Sequence, residues 1–257
     1  MRAIDAHTHL DMAAFESDLH EVVQRATDTG VVGWVLAGAA PCDWPRVLDI
    51  AERTGGVAVL GIHPWWSALS EEALGDAMQR LAKQLTPHGL GELGLDRPRA
   101  ADDRAWEQQH RVFEAQLRLA VARDLPVVLH CVRAWPALRT VIERVGLPSS
   151  GGMIHDWTGP VAHARQAVAM GLHLSFGPSV ARSRRAAESL HVVPLHRLLV
   201  ESDCPDRPIC GATRGEPAHI WQVIRSVATH LDLPEALVAR HTHDNARTLL
   251  RYESPVR

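Results

Sequence analysis

Eight short apolar runs, each followed by a stretch of helical periodicity, constrain this chain more than any other feature. The runs are Ile4–His9, Val31–Leu36, Val57–Ile62, Gly89–Leu93, Leu125–Leu129, Gly152–Ile154, Leu172–Phe176 and Leu198–Ser202. They read as nearly continuous hydrophobic segments, the pattern of parallel strands covered on both faces. Between them lie predicted helices over Glu16–Asp28, from Asp43 through Ala51, from Ser70 through Leu85, over Asp102–Arg123, from Pro136 through Val145, over Val161–Met170 and over Ala186–His191. Glu216–Leu231 and Pro234–Leu250 close the chain. Eight alternating units predict an α/β fold of the (β/α)8 TIM-barrel type, and 257 residues suit one such domain spanning 1–257. An open doubly wound sheet should carry a glycine-rich phosphate fingerprint after its first strand; this chain has His7-Thr8-His9 there.

Composition removes several function classes. No apolar run approaches the ~20 residues needed to cross a bilayer, and the acidic, histidine-containing start is unlike a signal peptide, so the expected location is the cytoplasm with no membrane partner. Cys42, Cys131, Cys204 and Cys210 lack Cys-x-x-Cys spacing and read as reduced thiols rather than a zinc knuckle or redox pair. A net charge of −3 confines any polynucleotide contact to a local cleft. Lys83 is the single lysine, so 26 of the 27 cationic residues are arginine. Chemistry that needs an active-site lysine therefore has almost nothing to draw on.

In a barrel the active site lies at the C-terminal ends of the strands. That rim would carry His7 and His9 after strand one, His63 after three, Glu92 at four, His130 after five, His155 after six and Asp203 after eight. His7 and His9, two apart on a strand, leave the same face and can converge on one ion. Each residue alone also fits a core or loop role. Together, such a crowd of charged and imidazole groups would be costly unless cations shared their lone pairs. The set suffices for two divalent ions bridged by Glu92, with Zn, Mn, Co or Mg as candidates. Such a pair would lower the pKa of a bound water and present hydroxide to an electrophile. Period-two alternation turns Cys131 and Cys204 away from this rim, and Glu201 is a candidate hydrogen-bond partner behind it.

Asp5-Ala6-His7-Thr8-His9-Leu10-Asp11, Gly61-Ile62-His63-Pro64, Gly91-Glu92-Leu93-Gly94-Leu95-Asp96, Leu125 to His130 and Glu201-Ser202-Asp203 closely resemble, in this order, the TatD family of metal-dependent hydrolases in the amidohydrolase superfamily. The resemblance extends to Asn245-Ala246-Arg247, essentially the whole chain. It implies that His7, His9, Glu92 and Asp203 hold one metal, that Glu92, His130 and His155 hold the other, and that His63 contacts substrate. It also implies phosphodiester hydrolysis, since family members are described as DNases acting on 3′ ends or single strands.

The chain departs from the family's pattern at Arg97-Pro98-Arg99, where aromatics are common, and at Arg133, which lies three residues after His130 rather than two. It departs again at Asp203-Cys204-Pro205-Asp206 and at Val180-Ala181-Arg182. Arg133, Arg182 and Arg214 are candidate phosphate holders, with solvated surface as their alternative. Trp65, Trp66, Trp135 and Trp157 follow strand ends and are candidates for stacking on bases, or for core and lid packing. The leading expectation is a two-metal phosphodiesterase or deoxyribonuclease, with Asp203, Glu92 and His63 as catalytic residues and His63, Arg133 and Arg182 as substrate contacts. Its substrate would be nucleic acid, as single strands or 3′ ends, or a small phosphodiester or ester. One alternative is an amidohydrolase-type enzyme cleaving a C–N, lactone or other ester bond at the same carboxylate-bridged site. A catalytically silent binding component is another. The sequence leaves oligomeric state open.

Overall fold

The computed structural model describes residues 1–209 and 211–252. Cys210 lies outside them. Among the described residues are eight parallel strands, β1 (Ala3–Thr8), β2 (Val31–Ala37), β3 (Val57–Val59), β4 (Leu90–Asp96), β5 (Val127–Val132), β6 (Gly152–Ile154), β7 (His173–Phe176) and β8 (Leu198–Val200). Between and after them run α1 (Leu19–Asp28), α2 (Trp44–Thr54), α3 (Glu71–Lys83), α4 (Asp103–Arg123), α5 (Trp135–Val145), α6 (Val161–Ala169), α7 (Arg184–Leu190), α8 (Ile220–Leu231) and α9 (Glu235–Leu249). The expected alternation is present in full.

Two ladders, β1-β2-β3 and β4 through β8, are joined into a closed barrel at both seams. At one seam Leu60 bridges Leu90, and the Gly91 amide donates to the Leu60 carbonyl. At the other, the Asp203 amide donates to the His7 carbonyl and the His9 amide to the Cys204 carbonyl. Both seams pass directly beside expected site residues.

Strand ends differ from the sequence reading for identifiable reasons. β3 stops at Val59 rather than Ile62 because the Ile62 backbone is taken by a side chain: Gln116 Oε1 accepts its N–H at 2.7 Å and Nε2 donates to its carbonyl at 3.0 Å. β8 stops at Val200 rather than Ser202 because the Ser202 amide turns to Asp5 Oδ1. β5 runs on to Val132 since β4 continues beside it as far as Asp96. Two helices start late, α1 and α8, each behind a single 3-10 turn (Ala13–Phe15 and Pro217–His219).

Helix ends follow ordinary capping chemistry. Ser70 and Asp102 accept the Ala73 and Ala105 amides and so start α3 and α4. Pro45 and Pro136 sit in the first turns of α2 and α5. Asn245 on α9 donates to the carbonyls of Leu195 and Leu198, fastening the last helix to the start of β8.

The main core packs strand residues such as Leu36, Leu93 and Leu129 against helix residues such as Val112, Phe113 and Leu117. A second cluster gathers Val35, Val57, Val59, Val128, Met153 and Leu199. Val128 and Met153 stand two residues before His130 and His155, on the same strand faces, and form an apolar floor beneath those imidazoles.

Candidate metal centre

Glu92 is the middle of the site, and close backbone approach puts it there. Gly61 lies so near that a Cβ would sit 2.5 Å from the Glu92 carbonyl oxygen, and at Gly94 one would sit 2.0 Å from that of His130. Only glycine permits β4 to nest between its neighbours at these two points.

The two carboxylate oxygens of Glu92 face two different groups of imidazoles. Oε2 lies 3.4 Å from His7 Nε2 and 3.6 Å from His9 Nε2. Oε1 lies 2.7 Å from His130 Nδ1, 2.8 Å from His155 Nε2 and 3.1 Å from His63 Nε2. Asp203 completes the first group, with Oδ1 3.8 Å from both His7 Nε2 and His9 Nε2. Residues spread over nearly two hundred positions thus meet at the rim, each within 4 Å of another. Glu92, His7, His63, His130, His155 and Asp203 are all buried, and His9 nearly so.

The far side of each ring decides what its inner nitrogen can do. His9 Nδ1 sits 3.0 Å from the Ala37 carbonyl, which accepts its proton and leaves Nε2 with a free lone pair. His130 Nε2 sits 3.2 Å from Asp96 Oδ2, so Nδ1 is the free donor atom. His155 Nδ1 is 3.4 Å from Glu201 Oε1, a fully buried carboxylate that also accepts the Asp156 amide at 2.7 Å. His63 is the opposite case. Its Nδ1 accepts the Trp65 amide at 3.2 Å, so the ring hydrogen sits on Nε2 and points at Glu92. Distance alone groups His63 with Glu92 and His130 as a possible ligand set. The Trp65 bond makes it a hydrogen-bond donor instead.

Electrostatics at the site are severe. Burial raises the Glu92 carboxyl, but His155, His63 and hydrogen bonds from His130 and His155 outweigh it and hold Glu92 well below the usual range. Burial alone would depress His155; Glu92 and Glu201 instead hold it well above its ordinary value. His130 is raised likewise, against burial, by Asp96 and Glu92. Burial and the nearby His155 lower His7 to about 4. Burial lifts Asp203 well above a normal carboxyl; His155 opposes this, while Glu201, Asp156 and Glu92 add to it. Dications are the natural relief for such a set, and four imidazoles with two carboxylates fit them chemically.

The family model described as TatD related DNase matches residues 4–251. The chain belongs to the TatD family of metal-dependent hydrolases, within the amidohydrolase superfamily. It is 32% identical to the 3′-5′ ssDNA/RNA exonuclease TatD of Pantoea vagans, over 96% of this chain and 98% of that one. It is also 32% identical to the uncharacterized metal-dependent hydrolase YjjV of Escherichia coli K12, over 96% and 97%. The crystal structure of that TatD homologue superposes with a TM-score of 0.89 over 98% of this chain and 99% of its own. A TatD family hydrolase structure from Entamoeba histolytica, at 18% identity and TM-score 0.84, shares the fold. Like the TatD relatives, the chain is a TIM barrel.

Of the arginines named from sequence, the structure treats each differently. Arg133, at a positive φ of 51°, lines a cavity of about 740 Å³ beside His130's strand, with Trp135, Trp157, His163 and Arg185. Arg182 faces elsewhere, into a pocket of about 120 Å³ against α8 with Gln222 and Val223. Arg214 corrects its expected role: it bonds Asp18, Glu216 and the Ala14 carbonyl and lies over the Phe15 ring, so it ties the β8–α8 loop to α1. Trp65 and Trp66 are each 52% exposed, whereas Trp135 and Trp157 are 3% exposed and belong to the core. Cys131 and Cys204 join none of the ligand groups among the described residues, and burial pushes the Cys131 thiol up to about 12.

Four contributors were missed. Asp96 ends the Gly91-to-Asp96 motif, and nothing in that motif marks it as the partner behind His130. Gln109 and Gln116 read as polar positions of α4, although their seven-residue spacing places them on its buried stripe. Arg207 pairs with Asp156 at 2.9 Å and approaches Asp203 Oδ2 at 3.8 Å. Nothing in its local sequence marks it.

Proposed function

We propose that this chain is a two-metal phosphodiesterase acting on single-stranded DNA or RNA from the 3′ end. The observation that carries the metal count is Glu92, whose two oxygens serve separate imidazole groups. In this reading His7, His9, Glu92 and Asp203 hold one divalent ion, and Glu92, His130 and His155 the other. When bound, the ions supply Lewis acidity toward the phosphoryl oxygen and acidify water. The substrate class rests on the TatD exonuclease relatives, and the Arg133 cavity on the segments that follow His130 and His155 offers cations beside it.

The protein's own groups have distinct tasks. His63 donates Nε2–H to a phosphoryl oxygen, its tautomer set by the Trp65 amide. Asp203, at the rim beside His7 and His9, is placed to accept the attacking water's proton in its ionised form. Asp96 and Glu201 keep the His130 and His155 rings aimed inward. Cleavage of a C–N or lactone bond at the same centre is the competing reading. Its carbamylated-lysine form has no support, because Lys83 lies on helix α3.

The test is hydrolysis of bis-p-nitrophenyl phosphate and of 3′-labelled single strands by Glu92→Ala and Asp203→Ala proteins reconstituted with Mn²⁺ or Zn²⁺. Each variant should lose activity by at least about a thousandfold, more than 4 kcal/mol of barrier, while its circular dichroism is retained. Full activity in either one excludes the assignment.

A further inference from the structure

Arg99 ends the Arg97-Pro98-Arg99 run, where the TatD pattern commonly has aromatics, and it packs against an aromatic from another segment. Its guanidinium lies 4.2 Å above the Trp65 ring, and among the described residues it has no carboxylate partner. Arg97, two residues earlier, is the contrast: it reaches Asp103 at 3.6 Å and lies over Trp106. An exposed arginine normally stays solvated or finds a carboxylate. Arg99 instead sits over an indole that is itself fixed.

Trp65 is held at its edge. Its Nε1–H donates to Asp96 Oδ2 at 2.8 Å, the same oxygen that faces His130. Its ring meets His63 edge-on, with centroids 4.9 Å apart. Two contacts in series therefore connect the Arg99 guanidinium to an imidazole that touches Glu92. Arg99 N–H also donates to Asp96 Oδ1, which fixes the start of the side chain. The side chain of Asp96 is thus a common anchor for the metal-facing His130, the indole and the arginine backbone.

Resting on the phosphodiesterase reading, we infer that Arg99 and Trp65 form a subsite for the phosphate adjoining the one being cleaved. The guanidinium offers its fork of N–H donors to the phosphate oxygens, and stacking on the indole limits the freedom lost on binding. Trp66, half-exposed beside it, extends an aromatic surface for the attached base. The ligand class is a polyanion with phosphates in chain, rather than an isolated monoester.

The experiment measures binding of a fluorescein-labelled phosphorothioate oligothymidylate by anisotropy across a salt series, for the wild type, Arg99→Ala and Arg97→Ala. Arg99→Ala should weaken binding roughly tenfold. It should also make the slope of log K against log salt shallower by about 0.7, the signature of one lost phosphate contact. Arg97→Ala should leave both where they are. Arg99→Lys should restore the slope but only part of the affinity, because an ammonium lacks the planar fork. An unchanged affinity and slope in Arg99→Ala overturns the inference. If the wild type fails to bind the oligonucleotide at all, the nuclease reading has failed, and calorimetric titration with inorganic pyrophosphate decides the subsite separately. Weaker pyrophosphate binding by Arg99→Ala then sustains it; equal binding, or none by either protein, overturns it.

Discussion

Replacing Gln116 by methionine tests how the site is held from behind. Gln116 projects from α4 and forms two hydrogen bonds with the backbone of Ile62, accepting at 2.7 Å and donating at 3.0 Å. Gln109, two turns earlier on the same face, does the same for Asp96 at 2.8 Å and 3.0 Å. Each amide acts as a one-residue extension of the sheet, and the clamped residues immediately precede His63 and include Asp96. Methionine matches glutamine in length but cannot pair. Ile62 is essentially inaccessible, so its N–H and carbonyl would both be left buried and unpaired.

At about 1–3 kcal/mol for each orphaned group, Gln116→Met should cost about 4 kcal/mol of stability. For a chain of this size that lowers Tm by roughly 8–16 °C. Urea unfolding should show a lower midpoint with an unchanged slope. Gln116→Glu separates pairing from packing: the neutral acid can both donate and accept, whereas the carboxylate only accepts. Relative to wild type at the same pH, the Glu variant should therefore be markedly more stable at pH 5 than at pH 8. A Tm loss below about 3 °C for the Met variant, or a pH-independent deficit for the Glu variant, would refute the clamp.

Metal binding at neutral pH should expel protons, because Asp203, His130 and His155 are all held toward their protonated forms. Calorimetry of Mn²⁺ or Zn²⁺ binding in buffers of different ionisation enthalpy reads this directly, and zero net release counts against the proposed ligand set. His173, on β7, is lowered to about 4 by burial, with Arg197 adding to it, so it stays neutral in the fold while the unfolded chain takes up a proton below its ordinary value of 6.5. Its contribution is complete above that value and is lost as pH falls toward 4; from pH 7 to pH 5 the wild type should lose about 2 kcal/mol more than His173→Leu, and equal losses would contradict the assignment.

The barrel and its centre were legible because the information is local. Each apolar run ends within a residue or two of its ligand, and strand alternation fixes which side chains share a face. What was hidden depends on partners far along the chain. Nothing near Ile62 announces that its backbone pairs with a side chain rather than a strand, since the competing donor and acceptor sit 54 residues away on α4. On α4 the buried stripe runs through Gln109, Val112, Phe113, Gln116, Leu117 and Ala120, so the two glutamines lie in phase with the apolar residues. A glutamine repeated at seven residues on an apolar face was the available sign. Reading it requires knowing that strands nearby end early and leave backbone groups to be served.

The arginines make the same point about recognition. Arg214 and Arg99 carry the same charge, and each lies over an aromatic ring, at 4.6 Å and 4.2 Å. Arg214 is surrounded by Asp18 and Glu216 from two different segments, so its charge is consumed within the fold. Arg99 has Asp96 beside it only through its backbone amide, which donates to Oδ1, while Oδ2 answers to both His130 and Trp65. That carboxylate aims a metal-facing histidine, while among the described residues the neighbouring guanidinium pairs with no carboxylate. On the proposed function, positioning the centre and presenting a cation to a phosphate are one arrangement, and Asp96→Asn should disturb both together.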